Sequence, residues 1–177
     1  MAYEGQEIFN PRTGQRMKFI ELRDELLRTE SVNPPSAERE PGHVHPKQES
    51  GAEVTSGSLV FEVDGEERRL GPGESISIPP NTPHRFWNED SADARSVQFF
   101  EPALNIASFF ETLFALAQQD ELDGKGMPRL PQLMVMVPAF EDEIRPLSPP
   151  WPVLRALTTV LGPIARARGY SGSVPLP

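Results

Sequence analysis

Short apolar runs broken by turn residues fill the first hundred positions of the chain. Glu7 to Phe9 and Arg16 to Ile20 flank Asn10-Pro11-Arg12-Thr13-Gly14, a turn containing Pro and Gly. Leu26 to Val32 suits a strand or a short helix, and propensity does not choose between them. Glu53-Val54-Thr55 and Leu59 to Val63 follow, separated by Ser56-Gly57. Asp64-Gly65 predicts a two-residue hairpin, because a type I′ turn needs positive φ at both central residues, and Glu66 to Leu70 is the returning strand. Gly71-Pro72-Gly73 is another turn. Ser75 to Ile78 alternates small and apolar residues, Pro79 to Pro83 forms a tight loop, and Arg95 to Glu101 closes the series. Many short strands with turns between them predict a sandwich or small barrel.

Past residue 104 the pattern changes. Asn105 to Gln118 sets Ile106, Phe109, Phe110, Leu113, Phe114 and Leu116 mostly along one helical stripe. Gln132 to Ile144 and Pro152 to Arg168 are further predicted helices. Pro138 predicts a kink or break in the first, and Gly162-Pro163 offers a division of the second into two shorter helices. The chain thus divides into a β region, 1–103, and a helical extension, 104–177. The apolar stripes of the extension are expected to pack on the barrel or on a second subunit.

Composition narrows the function. With 177 residues, 37% hydrophobic and 24% charged, the chain suits one globular domain with an appendage. Asp and Glu number 26 against 17 Lys and Arg, a net charge of −9. Nucleic acid and anionic membrane surfaces need a cationic face and are excluded as main partners. No apolar run approaches the ~20 residues of a membrane span. The polar, acidic start Met1-Ala2-Tyr3-Glu4 is unlike a signal peptide, so a cytoplasmic protein with a small-molecule partner is expected. Cysteine is absent, which removes disulfides, thiolate metal ligands and a Cys nucleophile.

Candidate chemistry lies in the three histidines. In a strand, residues two apart share a face, so Gly42-His43-Val44-His45 presents two imidazoles side by side. Two neighbouring imidazoles in an apolar cavity resist protonation and offer lone pairs to one divalent transition metal. His84 follows Pro79-Pro80-Asn81-Thr82-Pro83, where Pro83 pins the backbone and can set a third ligand in place.

These two segments resemble the motifs of the cupin superfamily in its small single-domain form. The first cupin motif runs His-x-His, a short spacer, a Glu and then a Gly. Here His43-Val44-His45-Pro46-Lys47-Gln48-Glu49-Ser50 leads on to Gly57. The second runs Gly, five residues, Pro, a turn, then His and Asn. Here it reads Gly73, Pro79, His84 and Asn88, with Asn81 where the family usually has Gly. The resemblance covers about residues 40–100. It implies an all-β core, a double-stranded β-helix (jelly-roll) barrel of six to eight strands, carrying the C-terminal α-helical extension. It also implies a homodimer, and a metal in the barrel mouth held by His43, His45 and His84.

The family's Glu is the point of departure. Its usual spacing falls on Ser50, and Gly57 fits that register; Glu49 is the shorter-spacer alternative, and Gln48 a weaker fourth ligand or a donor behind the site. Strand parity puts Ser50, Ala52 and Val54 inward and Glu49, Gly51 and Glu53 outward, which favours a three-His site; a bulge near residue 50 would reverse this. Ser50 and Ala52 leave room beside the metal. Apolar walls from Leu59, Val63 and Ile76, and above all Phe61, Ile78 and Phe86, complete an expected substrate pocket. Asn88 is a candidate to orient His84, and Arg85 and Arg95 are candidates to steer an anion.

Three neutral imidazoles would leave a divalent ion its full charge and favour an anionic, chelating substrate such as an enolate or β-diketonate. With Fe(II), the favoured ion, the resemblance implies a three-His dioxygenase acting on a small oxygenated, aromatic or polyketide-like molecule. Zn, Ni and Mn are the other ions weighed. Zn would support cyclase or isomerase chemistry by Lewis acidity. A non-catalytic small-molecule-binding cupin is the third reading.

Overall fold

The computed structural model describes residues 2–36, 39 and 41–177. The strands run β1 (Glu7–Phe9), β2 (Arg16–Arg23), β3 (Leu26–Asn33), β4 (His43–Val44), β5 (Glu49–Ser56), β6 (Leu59–Val63), β7 (Glu66–Leu70), β8 (Ser75–Ile78), β9 (His84–Trp87), β10 (Ala94–Glu101) and β11 (Arg145–Pro146). Three helices complete the described residues: α1 (Ile106–Gln118), α2 (Leu130–Ala139) and α3 (Trp151–Ala167). The strands form two antiparallel sheets, ordered β1-β2-β3-β10-β5-β8 and β11-β4-β9-β6-β7. This is a jelly-roll with a helical extension, and the extension also contributes a strand, β11.

Local choices follow the expected chemistry at several points. Asp64 and Gly65 both take positive φ, 50° and 85°, and close the β6–β7 hairpin. Leu26–Asn33 resolves as a strand, because it pairs along its whole length with β2 on one side and β10 on the other. Gly51 has no room for a side chain: a Cβ there would lie 2.2 Å from the Ile76 carbonyl oxygen and 2.5 Å from the Phe99 ring.

The six-stranded sheet is wider than its partner, and two different layers cover its inner face. At the β5–β8 end, Ala52, Val54 and Ile78 pack against Leu59, Phe61 and Leu70 of the second sheet. At the β1–β3 end, Ile8, Met17, Phe19 and Leu27 pack against Ile106, Ala107 and Phe114 of α1. Between the two clusters the inner face turns polar, with Thr29, Ser31, Ser96 and Gln98 all buried.

The aromatic run of α1 packs within the chain, Phe110 against Phe100 and Phe109 against Phe140. α2 ends at Ala139, short of the predicted Ile144: Pro138 lies at its last turn, and residues 140–144 make a separate turn with Glu143 and Ile144 bonded to the Phe140 carbonyl. α3 continues through Gly162-Pro163 instead of dividing. Its Leu154, Ala165 and Leu161 pack on α2, and a Cβ on Gly162 would sit 3.2 Å from the Met134 carbonyl, so the glycine serves the close approach of the two helices. No helix among the described residues is long and apolar enough to cross a membrane.

Candidate metal centre

Two strands of the second sheet and the turn between β8 and β9 assemble the three imidazoles. β4 carries His43, and its chain continues directly to His45. β9 begins at His84, and His43 and His84 face each other across the β4–β9 pair. Asn81 takes positive φ, 63°, in the turn before β9, a conformation Asn tolerates better than most residues. Its N–H donates to the His45 carbonyl at 2.7 Å, which fastens the second motif to the first.

The rings converge. Centroids lie 5.1 Å apart for His43 and His45, 4.5 Å for His43 and His84, and 5.1 Å for His45 and His84. One nitrogen from each ring lies within 4.8 Å of the others. Which nitrogens face the centre follows from the hydrogen bonds. His43 Nδ1 meets the Pro41 carbonyl at 3.1 Å, His84 Nδ1 the Thr82 carbonyl at 2.8 Å, and His45 Nδ1 the Glu143 carbonyl at 2.6 Å. A carbonyl only accepts, so each Nδ1 carries the proton and each Nε2 keeps its lone pair.

Burial keeps the rings neutral. Desolvation lowers the pKa of all three, well below the ordinary range for His43 and to about 4 for His45, although the bond of His45 to Glu143 works the other way. The other two rings further discourage protonation of His43. Three neutral, inward-facing Nε2 atoms fit a divalent transition metal, and the cluster could hold one.

The same shifts set the stability of the metal-free protein against pH. An unfolded His protonates near its ordinary value, whereas His45 in the fold resists until about pH 4. The unfolded chain therefore binds more protons between these values. Stability is full above pH ~6.5 and falls as acid is added, by on the order of 3 kcal/mol for His45. Denaturant unfolding of metal-free protein across that range should show the decline, and a flat profile would contradict neutral, buried rings.

The neighbouring candidates separate cleanly. Glu49 is exposed and bonded to the Ser77 hydroxyl, while Ser50, Ala52 and Val54 are buried, so the β5 register is the one that turns Glu49 away. Gln48 is fully buried; its Nε2 donates to the carbonyls of Pro102 and Ala103 at 2.8 and 2.9 Å. Gln48 Oε1 and Ser50 Oγ are buried with no hydrogen-bond partner among the described residues. Phe61, Ile78 and Ala52 sit in the inter-sheet cluster, with Phe86 stacked on Phe61 at 5.5 Å. Asn88 spends its hydrogen bonds away from His84, on the Asn33 and Ala92 carbonyls and the Asp90 N–H, and so shapes the turn after β9. Arg85 is paired with Glu62 at 2.6 Å, and Arg95 is exposed. A cleft of about 520 Å³ opens beside His84, bounded by Glu62, Arg85, Lys125, Met127 and Leu147.

Glu143 is the residue sequence reasoning missed. It is buried, 98 positions from His45, and acts on that ring through its main-chain carbonyl. A main-chain acceptor leaves no trace in residue identity. The nearest signal is the acidic run Glu141-Asp142-Glu143 that follows the apolar residues of α2.

The family model for the cupin domain matches residues 31–100. An oxidoreductase of Arthrobotrys oligospora is 31% identical over 124 residues, which is 66% of this chain and 47% of the relative. The chain therefore spans about half the length of the curated relative it matches. The solved structure of KdgF from Halomonas sp. superposes with a TM-score of 0.52 at 22% identity, covering 57% of this chain and 92% of that one, a likeness of fold. An RmlC-like cupin from Shewanella frigidimarina gives 0.49 at 22% identity, over 58% of this chain and 90% of that one.

Proposed function

The chain belongs to the cupin superfamily, and we propose that it is a metal-dependent oxidoreductase acting on a small oxygenated molecule, with His43, His45 and His84 as the metal ligands. The observation that carries this reading is the commitment of all three Nδ1 atoms to carbonyls, which turns three uncharged Nε2 lone pairs toward one point. The likeness to an oxidoreductase over two thirds of the chain supports redox chemistry. Fe(II) bound there would supply dioxygen activation, and any divalent ion would polarise a substrate oxygen.

The chain's own residues favour a substrate with an apolar body and an oxygen-bearing edge. Phe61 and Phe86 form an apolar wall on the five-stranded sheet, and Ile78 extends it from β8. Ser50, Ser96, Thr29 and Gln98 line the inner face of the six-stranded sheet with hydroxyls and a carboxamide. Ser50 Oγ and Gln48 Oε1 have no partner among the described residues, and a buried unpaired oxygen is a cost that a ligand hydroxyl relieves. Enolisable 1,3-dicarbonyls and hydroxylated aromatics meet this description. Cleavage of a C–C bond with both atoms of O₂ entering the products would require no external reductant.

The test is oxygen uptake by protein loaded anaerobically with Fe(II), against a panel of 1,3-dicarbonyls and flavonols. Uptake stoichiometric with substrate loss, absent in His84→Ala, supports the reading. Turnover by zinc-loaded protein without O₂ would replace it with cyclase or isomerase chemistry. Ligand binding with no stoichiometric metal would replace it with a binding role.

A further inference from the structure

His43 and His84 each take their orienting carbonyl from two residues upstream, inside their own motifs. His45 does not. Its acceptor, Glu143, lies outside the matched barrel, in the turn after α2. That turn is tied down at several points. The Glu143 carboxylate is buried, and its Oε1 accepts the Asn105 N–H at 3.0 Å. Asn105 precedes α1, which has no side-chain cap of its own, so the carboxylate serves that helix start from outside. Two residues on, β11 pairs with β4, Arg145 opposite Val44 and Pro146 opposite His43, and the Leu147 N–H donates to the Gly42 carbonyl at 3.0 Å. Residues 143–147 thus strap the free edge of the strand that carries His43 and reach over to hold His45.

We propose that Glu143 is a positioning residue of the metal centre and that this strap is a working part of it, so that metal affinity and docking of the C-terminal extension are coupled. The inference rests on the three-His reading. With the strap docked, His45 is fixed with its proton on Nδ1 and its lone pair toward the other two rings. With the strap released, His45 loses that acceptor and is free to rotate or change tautomer. Linkage then runs both ways: an ion that requires the oriented ring holds the strap down.

The full chain is titrated with Zn(II) by calorimetry, and exchange of strap amides is followed with and without zinc. Wild type binds one ion, and zinc slows exchange at Leu147 and its neighbours. Glu143→Ala, which keeps the carbonyl but loses the anchor on Asn105, weakens binding about 10–100-fold, the range seen when a ligand's orienting partner is disturbed. Glu143→Gln, whose carboxamide oxygen can still accept from Asn105, restores most of the affinity and the Co(II) absorption spectrum of wild type. If wild type binds no ion, the three-His reading itself fails, and this inference with it. If wild type binds but Glu143→Ala binds equally well, or zinc leaves strap exchange unchanged, the coupling is wrong while the centre stands. Should Glu143→Ala not fold, the zinc effect on wild-type exchange still decides.

Discussion

His84→Ala will abolish stoichiometric metal binding, with affinity falling more than about a hundredfold, beyond the loss typical of disturbing a ligand's hydrogen-bond partner. The reason lies in the geometry of the cluster. Two imidazoles come from one short segment, and His84 is the one ring that β9 contributes to the group. No carboxylate among the described residues joins the group of three. Removing one ring leaves two neutral donors and nothing to replace the third. Glu49→Gln is the matched control: its carboxylate faces solvent on the other side of β5, and binding should be nearly unchanged. Calorimetry or metal analysis after gel filtration reads both variants. A loss of metal in Glu49→Gln would show that the strand register at the site differs from the one described.

Phe19→Ala should destabilise the protein by about 3–5 kcal/mol, the range for deleting a fully buried aromatic ring. In a chain of this size that lowers the melting temperature by about 10 °C. Phe19 has no exposed surface and lies in the cluster that joins the inner face of β1–β3 to α1. The second sheet does not cover this part of the six-stranded sheet, so the helix is the layer that completes the core there. Loss of the ring opens a cavity at that joint. Denaturant unfolding measures the effect, and a change below about 1 kcal/mol would mean that α1 is not docked on this face.

The sequence made the inside and outside of β5 readable because alternation in a strand is strict: Glu49 and Glu53 on one side, Ser50, Ala52 and Val54 on the other. It made the hairpin at Asp64-Gly65 and the proline-braced turn before His84 readable because those backbone shapes select few residue types. Leu26–Asn33 was ambiguous, since its identity as a strand comes from two neighbours far away in the chain. Gly162-Pro163 reads locally as a break, yet packing of α3 on α2 carries the helix through. The polar middle of the inner face also escaped notice. Thr29, Ser31, Ser96 and Gln98 look like ordinary alternation until the register aligns Ser31 with Ser96 and Thr29 with Gln98. The role of Glu143 was invisible, because it belongs to a carbonyl that every residue type possesses.

The bond from the Asn81 N–H to the His45 carbonyl has a consequence for ion selection. It draws the two ligand-bearing segments together without help from any ion, so the ordering left for an ion to drive falls on the strap behind His45. Competing metals then differ mainly in their intrinsic preference for three nitrogens, an order that rises from manganese and iron toward copper. An ion that accompanied the protein on purification would therefore report on supply in the host, and reconstitution of the stripped protein would identify a working ion.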